Sequence, residues 1–490
     1  MISTRNFKAL VFDLGGVLLE WDHGSIDAIS PEQFLAITNS TAWHSLDRGE
    51  ITLKEACKEH LEIVKGLDLP WSLFERVFAS GLEGMRKLDL CFFDHVINEI
   101  GVHPSEMIMF DDMPENVCAA RSRGIHAILV HNSLPSVRKT LLNLLHDPIQ
   151  RGEGYLHDKA REHHCVVEGH EELTLKDNFS QLMIWELTGD DEIVYLKWPY
   201  GSTHGLNPIH TENSPQNRPS SDHTGIPTSS YANGRSSGDS TDASNGSDVE
   251  RSCVDRGLWN FFIETPVLTT RRFPADADTT ATAYLSLPQR PHFLDMMPDV
   301  QLILDSMADN LDLDGIMQVY FDAERPRTVP EVCCNILRLF HKFGLESDPR
   351  VKKSEDYVVE CLNNNACLYG NRHYSTPESF LYFVARLYAE TSSDAFRLRL
   401  DAIKTQLKDR LDVPANPLAL ALRLFACQVV GLDPELYRKD LGILVSLQDE
   451  DGGWPAGHFC RLGRTGRRIG SRGLTTALAV RILQHERRAA

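Results

Sequence analysis

The stretch Pro274-Ala-Asp-Ala-Asp-Thr-Thr-Ala-Thr-Ala283 sets two carboxylates two positions apart, Asp276 and Asp278, and follows them directly with two hydroxyls, Thr279 and Thr280. A carboxyl group can protonate something as inert as an alkene only if it is kept neutral, poorly solvated and hydrogen-bonded. A second acid beside it and flanking hydroxyls can supply that setting and push the two pKa values apart. The plainer alternative is an acidic first turn of a helix, with Asp as cap and Thr as filler. An Asp-x-Asp-Thr-Thr string arises by chance in fewer than about one chain in a hundred of this length, so the rest of the chain must decide.

Downstream, Gln448-Asp-Glu-Asp-Gly-Gly-Trp454 has the spacing of a helix-end tie. The Gln can bond exposed terminal backbone groups, the Trp can cover the turn, and the glycines permit close approach. An ordinary helix connection is the alternative for this segment alone. Gly470-Ser-Arg-Gly-Leu-Thr-Thr476 then opens another apolar helix. Between the two motifs, apolar residues recur at three- and four-residue spacing over Pro330–Phe343, Tyr357–Leu368, Pro377–Tyr388, Pro417–Val430 and Pro434–Leu447, and again over Gly473–Gln484. Proline opens several of these, and Thr376 is a natural N-cap for the helix at Pro377. Antiparallel helices joined by short loops predict an α/α-barrel over residues 253–490.

Both motifs resemble those of class II terpene cyclases: DxDTT that of the drimane-forming enzymes, and QxxxGxW the repeat of their α/α-barrels. The resemblance to the HAD-like class II cyclases (drimanyl and albicanyl diphosphate synthases) covers nearly the whole chain. It implies a single β-type cyclase domain and farnesyl diphosphate as substrate. Asp278 would protonate the terminal alkene, Asp276 would orient it, and Thr279 and Thr280 would complete the hydrogen-bond network. The cation would close two rings and lose a proton, leaving the diphosphate attached.

Such a cation needs a dry pocket with aromatic faces nearby. Trp259, Phe261, Phe262, Tyr284, Tyr320, Phe321, Tyr374 and Phe380 are candidates, each with ordinary core packing as its alternative. The diphosphate needs arginine, whose planar fork binds phosphate bidentately. Arg325-Pro-Arg327, Arg372 and the cluster Arg461, Arg464, Arg467, Arg468 and Arg472 are the options; Arg461, Arg468, Arg472 and Arg325 are singled out as the diphosphate site. A solvated surface role is the alternative for each.

Residues 1–140 read differently. Lys8–Leu19 is a β-branched strand entering a glycine turn, Met107–Asp112 a strand ending in carboxylates, and His126–His131 a third. Helical patterns at Phe92–Ile100 and Pro114–Arg123 separate them, so an α/β Rossmannoid domain with its site at the carboxyl edge of a parallel sheet is expected. The segment resembles the haloacid dehalogenase-like (HAD) phosphatases, apparently truncated. The resemblance makes Asp13 the nucleophile, Lys87 the phosphate-steadying lysine, and Asp111-Asp112 with Asn116 the metal motif. Asp13, Asp111 and Asp112 would then hold Mg²⁺. Two departures argue against phosphatase activity. Gly15 stands where the family has its acid/base aspartate, and no strand ending in Ser or Thr falls between Asp13 and Lys87. Glu50–Trp71 is too short for cap helices plus that strand, and Ser80 lies too close to the lysine motif. Packing or solubility is the expected role of this domain.

A connecting segment is expected over 141–200, where Gln181–Leu187 and Glu192–Trp198 read as a hairpin or as helix then strand. A disordered linker is expected over 201–252, which is crowded with Ser, Asn, Asp, Gly, Pro and Thr.

The bulk numbers fit this multidomain plan. The chain has 490 residues, too many for one ordinary core, and 42% are hydrophobic. A net charge of −19 excludes a general nucleic-acid binder. Eleven cysteines without a CxxC pair suggest buried thiols in a reducing compartment. Asp13 and two glycines interrupt the apolar stretch at the N-terminus, and no run of 18 apolar residues exists. A soluble cytoplasmic protein is expected. Three roles remain open: a cyclase releasing a bicyclic diphosphate, served by a separate phosphatase; a bifunctional cyclase-phosphatase; and a scaffold with two decayed domains.

Overall fold

In a computed structural model, the described residues are 7–13, 16–18, 45–46, 48, 50, 74–78, 83–130, 134–199, 257–286 and 299–489. They fall into two compact units, Met1–Asp147 and Pro148–Ala490. The proposed linker at 201–252, Gly15, Ser80 and nearly all of Glu50–Trp71 lie outside the described residues.

The first unit holds a parallel sheet in the order β1 (Ala9–Phe12), β2 (Met107–Asp111), β3 (His126–Leu129). Phe12 pairs with Phe110, and Asp111 with Leu129. Helices α1 (Leu90–Ile100), α2 (Pro114–Ser122) and α3 (Leu134–Leu145) accompany it. β2 is buried along its whole length, as expected of a central parallel strand read as a continuous apolar run. Parallel pairing brings the carboxyl ends of β1 and β2 to one edge, so Asp13 and Asp111 become neighbours.

The second unit is a two-layer barrel of helices. Its inner layer is α5 (Asn178–Thr188), α6 (Ala277–Ser286), α8 (Pro330–Lys342), α10 (Pro377–Glu390), α13 (Pro417–Val429) and α15 (Arg472–Ala489). Each packs on the next in that order, and α15 packs back on α5, closing the ring. The outer layer is α4 (Pro148–Asp158), α7 (Val300–Asp309), α9 (Lys352–Asn363), α12 (Ile403–Arg410) and α14 (Pro434–Ser446), each packed on an inner helix, with the short α11 (Asp394–Arg399) between α10 and α12. The sequence sorts the layers. α13 is buried continuously from Leu418 to Gln428, as an all-round apolar helix must be, whereas α14 buries Tyr437, Asp440 and Leu444 alone.

The first helices of the barrel come from a stretch expected only to connect domains. From Pro148 onward the 141–200 segment belongs to this unit, because α5 carries Phe179, Leu182, Met183, Ile184 and Trp185, which need a core on every side. The Gln181–Leu187 stretch is helix, and Ile193–Trp198 forms no strand. An antiparallel sheet of β4 (Cys165–Val167), β5 (His170–Leu175), β6 (Cys460–Arg461) and β7 (Arg468–Ser471), in the order β5-β4-β7-β6, joins this early segment to the last turns before α15.

The Gln448 tie is in place. Gln448 Nε2 donates to the carbonyls of Pro148 and Gly452 at 2.9 and 2.8 Å, and Trp454 Nε1 to that of Leu444 at 2.7 Å. Gly452 has φ +88°, and a Cβ there would stand 2.3 Å from the Arg151 carbonyl, so glycine is required. Thr376 precedes α10 with extended backbone but caps no N–H; its hydroxyl lies 3.1 Å from Ser379 Oγ instead.

Candidate active site

A cavity of about 260 Å³ opens where the inner helices begin. Phe179 of α5, Asp278 and Thr279 of α6, Val332 of α8, Tyr374 ahead of α10 and Ile469 ahead of α15 all line it. Helix N-termini therefore gather at one mouth, where their dipoles favour an anion.

Of the two readings of Pro274–Ala283, the helix cap is present in the structure. Asp276 sits immediately before α6 and caps it: its carboxylate accepts the Thr279 N–H at 2.7 Å and the Thr279 hydroxyl at 3.0 Å. Thr280 Oγ1 donates to the Asp276 carbonyl at 2.7 Å and accepts the Trp259 N–H at 2.9 Å. Thus both threonines bond Asp276.

Asp278 is held from outside its own helix. Asn335 Nδ2 of α8 donates to Asp278 Oδ1 at 2.7 Å, and the Tyr374 hydroxyl donates to Oδ2. Asn335 Oδ1 in turn accepts from Arg338 Nη1 at 2.8 Å. Arg338 is buried between Glu186 at 2.5 Å and Glu390 at 3.0 Å, and Arg386 bonds the same two carboxylates. Burial pushes the Asp276 carboxyl up to about 7, with the Asp278 charge adding to it and the Thr279 donors opposing. Burial also raises Asp278, to about 6, against the Asn335 and Tyr374 donors and the Arg338 charge.

Glu331, at the start of α8, is fully buried and pushed up to about 8 by desolvation. Asn371 donates to it at 2.7 Å while its own Oδ1 accepts the N–H groups of His373 and Tyr374, both at 2.9 Å. That clamp shapes the loop that delivers Tyr374 to Asp278.

Sequence reasoning missed Asn335, Arg338, Glu331 and Asn371 entirely. Polar residues inside the otherwise apolar Pro330–Phe343 run were the available signal, since a fully buried Asn or Arg must have partners. Among the aromatic candidates, Phe261, Phe262, Tyr320 and Tyr374 reach the cavity, joined by the unforeseen Phe179 and Phe273. Trp259, Tyr284 and Phe380 are core residues, and Phe321 packs against the core from the side.

The basic side of the cavity is Arg325, Arg327, Arg372, Arg461 and Arg464. Of the four arginines singled out from sequence, Arg325 and Arg461 are brought here. Arg468 is not: it pairs with Glu168 across β7. Nor is Arg472, which lies over the Tyr155 ring and pairs with Asp449 and Asp451 at the Trp454 turn. Among the described residues, Arg327, Arg372, Arg461 and Arg464 have no carboxylate partner, and Arg461 Nε is buried without a hydrogen bond.

In the first unit, Lys87 bonds Asp13 and lies 3.3 Å from Asp111. Asp111 also accepts from Asn116 Nδ2 and the Met113 N–H, each at 2.9 Å. Carboxylate oxygens of Asp13, Asp111 and Asp112 lie within 4.8 Å of one another. This all-oxygen set suits a hard divalent cation such as Mg²⁺.

Residues 149–224 and 241–343 match the sesquiterpene cyclase astC-like C-terminal domain. The drimenol cyclase drtB of Aspergillus calidoustus is 29% identical over 532 aligned residues, covering 97% of this chain and 88% of that protein. The sesquiterpene phosphatase astK of Aspergillus oryzae is 28% identical over 180, covering 26% of this chain and 92% of that one. Among solved structures, the type II terpene cyclase MstE from Scytonema aligns over 69% of this chain and 96% of its own, at 13% identity and a TM-score of 0.42. The chain is related over nearly its whole length to a sesquiterpene cyclase. Among the described residues, no helix is long and apolar enough to cross a membrane.

Proposed function

We propose that this relative of the sesquiterpene cyclases is itself a class II cyclase, converting farnesyl diphosphate into a bicyclic drimane-type diphosphate. The observation that carries the reading is Asp278. It lines an apolar cavity, is almost fully buried, and receives donors from Asn335 and Tyr374 on its two oxygens. Burial raises the acid's hold on its proton above that of an ordinary carboxyl. The two donors then stabilise the carboxylate left behind, which raises acidity at the moment of transfer. They occupy two of about four lone-pair sites, so a proton can still face the cavity. Asp276, already engaged by Thr279, fixes the start of α6 and so the position of Asp278.

The arginines at the mouth suit the diphosphate, in a protein whose net charge of −19 would otherwise repel it. Phe261, Phe262, Phe273 and Tyr320 offer faces to the travelling cation. The free state of the described cysteines fits a cytoplasmic setting.

A second reading adds phosphatase chemistry in a HAD-like first unit. It is favoured by the Asp13–Lys87–Asp111–Asp112 cluster, where Mg²⁺ would shield phosphate charge from an attacking Asp13. Incubating purified protein with farnesyl diphosphate and Mg²⁺, and extracting with and without added phosphatase, tests both. Bicyclic alcohol only after phosphatase supports the cyclase alone. Alcohol without it supports the bifunctional enzyme, and unchanged farnesyl diphosphate rules out both.

A further inference from the structure

We infer that His373 is the base that ends the cyclisation, its Nε2 taking the proton that the bicyclic cation must lose. The inference rests on the cyclase reading above and adds a residue to it.

The imidazole lines the same cavity as Asp278, and its Nε2 is buried with no hydrogen-bond partner among the described residues. An unpaired buried nitrogen costs about 1–3 kcal/mol, so an orphan on a residue that lines a reaction cavity calls for an explanation. Its position is firmly set. The His373 N–H donates to Asn371 Oδ1 at 2.9 Å, and its carbonyl accepts the Arg461 N–H at 2.6 Å. The ring stands edge-on to Tyr320 at 6.0 Å between centroids, and glycine at 463 leaves room beside its Cε1. Main-chain bonds thus hold the residue while leaving Nε2 free.

The charges around it keep it a base. Desolvation, and then the guanidinium groups of Arg372 and Arg327, push the imidazole down to about 4. Arg325, Arg461 and Arg464 line the same cavity, as do the acids Asp276 and Asp278. At neutral pH the ring is therefore uncharged, and the tautomer protonated at Nδ1 presents a lone pair at Nε2. The rival groups are poorer. Burial raises the Cys460 thiol and the Tyr320 and Tyr374 phenols far above neutrality, so all three stay protonated, and Asp276 is occupied by Thr279.

The step balances. Asp278 gives its proton to the terminal alkene carbon, and two ring closures carry the positive charge to a tertiary carbon. The electron pair of an adjacent C–H bond becomes the new C=C, and the proton bonds to Nε2. The imidazolium and the Asp278 carboxylate are reset by exchange with solvent after product leaves, so the net reaction is an isomerisation. An imidazolium beside Arg372 and Arg327 would be unfavourable alone. The bound diphosphate offsets that repulsion, so the base is effective when substrate is present.

The test uses wild type, His373→Ala and His373→Gln with farnesyl diphosphate, followed by phosphatase and gas chromatography–mass spectrometry, with folding checked by circular dichroism. Wild type should give one bicyclic unsaturated alcohol. The variants should consume substrate within about tenfold of wild type but spread it over double-bond isomers of that alcohol and a diol from water capture. The same single unsaturated alcohol from both variants would overturn the assignment and leave the diphosphate as base. A folded variant that consumes nothing would also overturn it, by placing His373 in binding or protonation. If His373→Ala does not fold, the near-isosteric Gln variant decides. A wild type that makes no bicyclic product sinks the cyclase reading itself, a result distinct from failure of the base.

Discussion

Asp278 and Asn335, on adjacent helices of the inner ring, are joined by a 2.7 Å hydrogen bond in which the amide donates. Because Arg338 engages the amide oxygen, Asn335 can present only its nitrogen to the acid. The orientation of one side chain is thereby tied to a buried charge network that includes Glu186, Arg386 and Glu390.

Asp278→Asn should reduce cyclisation at least about a hundredfold, the usual worth of a general acid. The shape of the side chain is kept, so circular dichroism should be unchanged. Retention of more than about a tenth of wild-type turnover would show that the acid lies elsewhere.

Arg338→Met should act on stability as well as rate. Breaking a buried ion pair by removing one partner costs up to about 3–5 kcal/mol, here by leaving Glu186 and Glu390 to Arg386 alone. A melting temperature lower by several degrees is expected. An unchanged melting curve would mean that the network contributes little.

The pH dependence follows from two raised carboxyls. Asp276 and Asp278, near 7 and 6 in the fold against about 4 when unfolded, bind more protons folded than unfolded between those limits. Stability from these groups is therefore greatest at low pH and falls as pH rises from about 4 to about 7. Turnover should fall over the upper part of that range, as the acid loses its proton. Melting curves at several pH values for wild type and Asp276→Asn would check the slope, which the variant should flatten.

Arg372→Ala and Arg461→Ala should each raise KM for the diphosphate substrate by about tenfold, consistent with a lost charge-assisted hydrogen bond. Arg468→Ala, whose partner is the exposed Glu168, should leave KM alone. Equal effects from all three would point to general electrostatic attraction rather than a built site.

Asp13→Asn should leave the product a diphosphate, as in wild type, if the first unit is catalytically idle. Free drimane alcohol made by wild type and lost in Asp13→Asn would establish the bifunctional enzyme instead.

By itself the sequence determined the helical barrel, its Gln448–Trp454 tie, the parallel sheet and the pair Asp276–Asp278, because each is written in local spacing: 3.6-residue apolar periods, β-branched runs ending in acids, and a compact motif. Tertiary structure alone decided the partners. Asn335 and Tyr374 lie far from Asp278 in the chain and meet it only because α6, α8 and α10 stand side by side in a closed ring. The same closure recruited 148–198 into the barrel and separated Arg372 and Arg461, at the cavity, from Arg468 and Arg472, spent on nearby carboxylates. An arginine looks the same in sequence whether it faces a substrate or an ion pair, since its role depends on which charges the folded chain brings within a few ångströms.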